Sequence, residues 1–162
     1  IKQLRWGSPI LKDDPCNVHM EHSAEMQLLF KNTPLLGDRT ESGRQLACHK
    51  NYSGHLDVYG RIYPHLPSNT ITTGCNNPSK GRFVHPWLHH GITLRHAARL
   101  QTFPDDYIFH GGTMAIAKQI GNAVPVKLGE ALLKSIIKLL SAQQIEVDSD
   151  ECGNIHFDKE CI

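Results

Sequence analysis

The chain has 162 residues, 40% of them hydrophobic and 20% charged, which suits one ordinary soluble domain with a real core. No apolar run reaches the roughly 18 residues that a membrane-spanning helix needs, and no secretory signal is visible. The net charge of +1 is unevenly spread: residues 143–162 hold six acids and one base, which leaves 10 acids and 16 bases in residues 1–142. A basic body with an acidic tail suits a polyanionic partner.

In chain order, residues 1–58 are punctuated by Pro9, Pro15, Pro34, Gly37, Gly43 and Gly54, leaving room for one short helix over Ser23–Phe30. Ser23 is its expected N-cap, and Met26, Leu29 and Phe30 form its apolar stripe. Val58–Tyr63 and Thr70–Thr73 favour extended structure, with Pro64 and Pro67 between them. Gly74 to Gly81 reads as a loop. Thr93–Thr102 predicts a helix capped by Thr93 and ended by Phe103-Pro104-Asp105. A further helix is expected over Thr113–Ile120, stopped by Gly121. Pro125 suits the first position of a longer helix to Ser141, with Leu128, Leu132, Ile136, Leu139 and Leu140 on its apolar face. The acidic remainder is expected to be disordered.

The five cysteines are Cys16, Cys48, Cys75, Cys152 and Cys161. Their odd number, without a secretory signal, predicts reduced thiols in a cytoplasmic compartment. No CxxC pair exists, so no metal site is expected. His85, His89 and His90 read as exposed loop histidines.

Three blocks stand in order. The first holds Tyr59-Gly60-Arg61-Ile62, then Pro67-Ser68-Asn69-Thr70-Ile71-Thr72-Thr73, then Lys80-Gly81-Arg82-Phe83-Val84-His85-Pro86. The second runs from Ile92 to Tyr107 as ITLRHAARLQTFPDDY, and the third is Gln119-Ile120-Gly121-Asn122-Ala123-Val124-Pro125. Together they resemble the late target-recognition region and conserved blocks nine and ten of the cytosine-5 DNA methyltransferases. Leu46-Ala47-Cys48-His49 and Gly54–Val58 add to the likeness, which covers about residues 20 to 140.

The resemblance implies an α+β fold. Residues 1–92 would be a small mixed recognition region with irregular loops and short strands. Residues 93–142 would form a helical closing segment that packs on an α/β S-adenosylmethionine-dependent methyltransferase domain, and 143–162 the acidic tail. Enzymes of this family flip a cytosine out of duplex DNA, add a cysteine thiolate to its C6, and pass a methyl group from S-adenosylmethionine to C5. Their glycine-rich cofactor loop, Pro-Cys-Gln nucleophile block and Glu-Asn-Val block do not occur in this sequence. Pro15-Cys16-Asn17 lacks the glutamine and stands on the wrong side of the recognition region, so no catalytic residue is assigned. The chain alone is expected to be inactive. Ile1 in place of Met is read as a processed or cut end, with the catalytic residues in another part of the gene product or a second subunit.

By the same resemblance, Thr70, Ile71 and Thr72 would lie against DNA, Asn76 and Asn77 would read adenine edges, and Arg82 would read guanine. Lys80 and Arg61 would meet phosphates. Asn122 and Ala123 would line the methionine end of S-adenosylmethionine, with Gly121 giving the turn its freedom. Arg95 and Arg99, four apart on one helix, would hold loops together. At His96 the family usually has Glu, so the capping box begun by Thr93 is expected to be lost and the helix start weakened. The expected partners are double-stranded DNA, the catalytic half, and a second copy through the apolar face of the last helix. The alternatives are a non-enzymatic or degenerate DNA-binding module derived from such an enzyme.

Overall fold

Ser23 opens the first helix as its sequence position predicts: its hydroxyl accepts from the Met26 N–H at 3.3 Å, and α1 runs over Ala24–Asn32. The computed structural model describes residues 14–42, 47 and 54–142. Leu29 and Phe30 of α1 are buried with Val84 in a small apolar cluster, against which Met26 and Tyr59 pack. Most of the Leu46–His49 block and the whole acidic tail lie outside the described residues.

The chain divides into two units, Ile1–Lys127 and Leu128–Ile162. In the first unit, α2 (Leu94–Leu100) is buried from Leu94 to Arg99 and packs against α3 (Thr113–Asn122). Ala97, Ala98 and Ala117, all fully buried, are small enough to let the two helices approach closely. Around them one core gathers Ile62, Ile71, Cys75, Phe83 and Ile92 from the loops with Leu94, Ile116 and Ile120 from the helices. Residue 92 is therefore not a boundary of packing. The expected recognition region and the expected closing helices share an interior.

The extended segments pair less than their composition predicts. Among the described residues there are only isolated bridges, Arg61 with Val84 in parallel and Val84 with Gly91 in antiparallel sense. Ile62 donates to Val84 O at 3.0 Å, and Val84 donates to Gly60 O at 3.1 Å. Pro64, Pro67 and Pro86 carry no N–H and stop these contacts from growing into a ladder. Residues 70–73, expected as strand, form no bridge. The loop before Phe83 contains one short 3-10 turn over Pro78–Lys80.

Two helix ends differ from their sequence expectation. The second helix closes before Pro104 in a Schellman turn: Phe103 N–H donates to Ala98 O at 3.0 Å, Thr102 N–H to Arg99 O at 3.0 Å, and Thr102 takes φ 64° where glycine is usual. Gly121 does not stop α3, which continues to Asn122. The last helix, α4, covers Val126–Ala142. Its apolar positions in the second unit, among them Leu128, Leu132, Ile136 and Leu139, are each at least half exposed. No helix among the described residues is long and apolar enough to cross a membrane.

Candidate functional site

Thr70 and Thr72 are exposed while Ile71 between them is buried, so this short run anchors itself by one side chain and presents two hydroxyls outward. Thr70 and the exposed Lys80 border one shallow cleft of about 260 Å³, together with Asn69, Asp57 and His55. One hydroxyl and one ammonium donor at a common rim suit a phosphate.

The same run meets the third sequence block. A Cβ built on Gly121 would lie 2.4 Å from Thr72 C and from Thr73 N, so the α3 backbone rests directly on the Thr72–Thr73 peptide. The corner beyond is held by Gln101, which is buried; its Nε2 donates to Ile120 O at 2.9 Å and Ala123 O at 3.1 Å. Asn122, between those carbonyls, and Val124 are exposed.

Three of the residues expected to meet DNA, Arg61, Arg82 and Asn76, are buried. Arg61 is 3% exposed. Its guanidinium donates to Thr33 O at 2.8 Å, His85 O at 2.7 Å and Leu88 O at 2.8 Å, and also to Phe30 O. It ties α1 to the 84–89 loop, and burial lowers its pKa. Arg82, 4% exposed, donates to Asp57 Oδ1 at 2.9 Å and Gly37 O at 2.8 Å and lies over the Tyr63 ring. Both guanidinium groups are taken up by protein acceptors, and Arg82 lines the floor of the cleft that Thr70 and Lys80 border. Asn76 is likewise buried. Asn77 accepts from Ser79 N–H at 2.9 Å and so caps the 3-10 turn, an occupation its sequence gave no reason to exclude.

Arg95 and Arg99 both reach from α2 to the loop that follows it. The Arg95 Nη2 donates to Asp14 Oδ1 at 3.1 Å and to Tyr107 O at 3.1 Å, joining the start of the described chain to the loop after α2. Arg99 makes a two-pronged pair with Asp105, at 2.7 and 2.9 Å. Asp14 and Asp57 carry no local signal of these roles, because their partners are 81 and 25 residues away. Cys16 is buried, and burial raises its thiol pKa, so it is held away from the reactive thiolate.

His96 overturns the expectation that the capping box is lost. The Thr93 hydroxyl accepts from His96 N–H at 3.1 Å, and His96 Nδ1 accepts from Thr93 N–H at 3.3 Å. A neutral imidazole nitrogen has a lone pair, which is all that this reciprocal bond requires. Burial keeps the ring neutral by lowering its pKa to about 4. His85 was expected in an exposed loop but is buried, accepting from Trp87 and Leu88 N–H at 3.2 and 3.1 Å, with its pKa lowered by burial to about 3. His90 is half-buried and His89 exposed. Among the described residues no three histidine, cysteine or acidic side chains are grouped to hold a metal ion.

A buried, arginine-tied scaffold thus presents a threonine-lysine rim backed by a glycine-packed corner. The family model for C-5 cytosine-specific DNA methylases matches residues 12–138, and the chain belongs to that family. It is 48% identical over 99 residues to the type II methylase M.HgiDII of Herpetosiphon aurantiacus, an alignment covering 57% of this chain and 28% of that protein. It is 41% identical over 127 residues to the type II methyltransferase M1.BsuMI of Bacillus subtilis, covering 74% and 29%. A putative type II methyltransferase of Methanocaldococcus jannaschii is 44% identical over 130 residues, covering 80% of this chain and 39% of the relative. The chain therefore spans roughly a third of the length of these relatives.

Proposed function

We propose that this chain is the DNA-recognising and pocket-closing portion of a DNA (cytosine-5-)-methyltransferase, with the reactive cysteine and most of the cofactor site supplied by protein outside it. The observation that carries this reading is the Gly121 contact. It sets the peptide after the exposed Thr70 and Thr72 directly against the start of the Asn122 corner. A part that must touch duplex DNA and the methyl donor at once needs such a junction.

In this reading Thr70, Thr72 and Lys80 meet the duplex backbone around the flipped cytosine. Arg61 and Arg82 support that surface from beneath. The corner also suits the cofactor. Asn122 exposes a carboxamide, whose N–H groups can bond the carboxylate at the amino-acid end of S-adenosylmethionine. The cofactor supplies the methyl group, and this chain's part is to bind and orient. The exposed apolar positions of α4 would be covered by the α/β domain that carries the rest of the site.

Assembled with a polypeptide bearing the glycine-rich loop and Pro-Cys-Gln block, the chain is expected to support transfer of labelled methyl groups into duplex DNA, with neither part active alone. Transfer by the isolated chain, or none by the assembly, refutes the proposal.

A further inference from the structure

Gln101 lies outside every residue assigned above to DNA or cofactor, yet it is buried at the end of α2 and bonded to both sides of the Asn122 corner. Both amide hydrogens are used, one on Ile120 O and one on Ala123 O. These are carbonyls at and just beyond the C-terminus of α3, where helical donors are few; Ile120 O also accepts from the Ala123 N–H at 3.3 Å. A peptide plane fixed at Ile120 and another fixed at Ala123 leave Asn122 little freedom to re-aim. Gly121 is meanwhile pinned against the Thr72–Thr73 peptide. On the other side, the chain leaves Gln101 through Thr102 in the left-handed region, a conformation that β-branched residues disfavour. Strain of this kind persists where surrounding bonds over-determine the backbone. Here those bonds are the two Schellman contacts and the Gln101 amide.

We infer that Gln101 is a positioning residue for methyl-donor binding, acting through the backbone of the Asn122–Ala123 corner and not by touching the donor. The inference rests on the proposed function. Its chemistry is specific, because the position needs two N–H donors on a side chain of this length. Methionine matches the length without donors. Glutamate matches the shape, but its carboxylate faces two carbonyl oxygens and repels both. Burial and those carbonyls raise the pKa of a carboxyl placed there, and once protonated it regains one donor.

The test uses the assembled methyltransferase containing this chain, with initial rates measured against S-adenosylmethionine and against duplex DNA separately. Gln101→Met is expected to raise KM for the methyl donor about tenfold, with KM for DNA and kcat at saturating donor unchanged. Gln101→Glu is expected to show the same defect at alkaline pH and to recover donor affinity as pH falls, whereas wild type and Gln101→Met do not recover. Thermal midpoints of each variant identify any general loss of folding. Donor KM unchanged in Gln101→Met, proportionate loss in all kinetic constants, or no recovery of Gln101→Glu in acid overturns the inference. If the wild-type assembly itself transfers no methyl groups, the underlying proposal fails instead.

Discussion

Replacing Gly121 by alanine adds one methyl group to a place where two peptide segments already touch. The new Cβ would stand 2.4 Å from Thr72 C and Thr73 N and 2.5 Å from Thr72 O, against the 3.4–4 Å of ordinary contact. About 1 Å of movement is needed, and no flexible side chain is there to give way, since the obstructing atoms are all backbone. The Thr72–Thr73 peptide is itself held, by Ile71 buried in the core and by the Cys75 N–H bond to Thr72 O at 3.0 Å. Overpacking costs about 1–3 kcal/mol, here at the upper end because only backbone can give way, and the better helix propensity of alanine returns at most about 1 kcal/mol, so a net loss of about 2 kcal/mol is expected. Urea unfolding of the chain should show a lower midpoint with an unchanged slope. Gly129→Ala in α4 provides the comparison, because its Cβ would meet nothing within 4 Å and only the propensity gain remains. In the assembled enzyme Gly121→Ala should weaken DNA and methyl donor together. A Gly121→Ala chain as stable as wild type would refute the close contact on which the proposed function stands.

The neutral, buried histidines make the fold sensitive to acid. His96 and His85 protonate near 6.5 when unfolded but only near about 4 and about 3 when folded. The unfolded chain therefore takes up protons first, and stability is fully present above pH 6.5 and falls as pH drops below it. His96 alone should remove about 3 kcal/mol by pH 4, visible as a fall in thermal midpoint that His96→Gln, which keeps a capping acceptor, makes shallower. Arg61→Met should destabilise the chain by at least about 3 kcal/mol, because several buried carbonyls lose their donor, as measured by chemical denaturation. Lys80→Ala should leave stability unchanged and weaken duplex binding by the assembled enzyme, reducing the salt slope by about one contact. Thr93→Ala should cost about 1–2 kcal/mol through loss of the cap, read as a lower urea midpoint.

Local chemistry was legible without coordinates. Ser23, Thr93 and Pro125 mark helix starts because capping and proline preferences act within a single turn; α1 and α2 begin where their caps predict, and α4 begins one residue after Pro125. The burial of Leu29 and Phe30 follows from spacing on one helical face. Family membership was also legible, since the blocks around Thr70, Arg95 and Asn122 are contiguous in sequence. His96 marks a limit of that reading: one hydrogen-bond acceptor replaces another, and letter identity conceals the equivalence.

Tertiary structure alone decided which polar groups face outward. Arg61, Arg82 and Lys80 share a basic character, but only Lys80 is exposed; the other two guanidinium groups are bonded to carbonyls up to 46 residues away. No pattern along the chain encodes such a pairing, because it exists only after distant loops have closed. The same holds for Gly121 against Thr72–Thr73 and for Gln101 against the Asn122 corner. By itself the sequence determined the helix starts and the family, whose causes are local or contiguous. Folding determined which side chains could still meet a ligand, because burial is a property of the assembled chain and not of any residue in it.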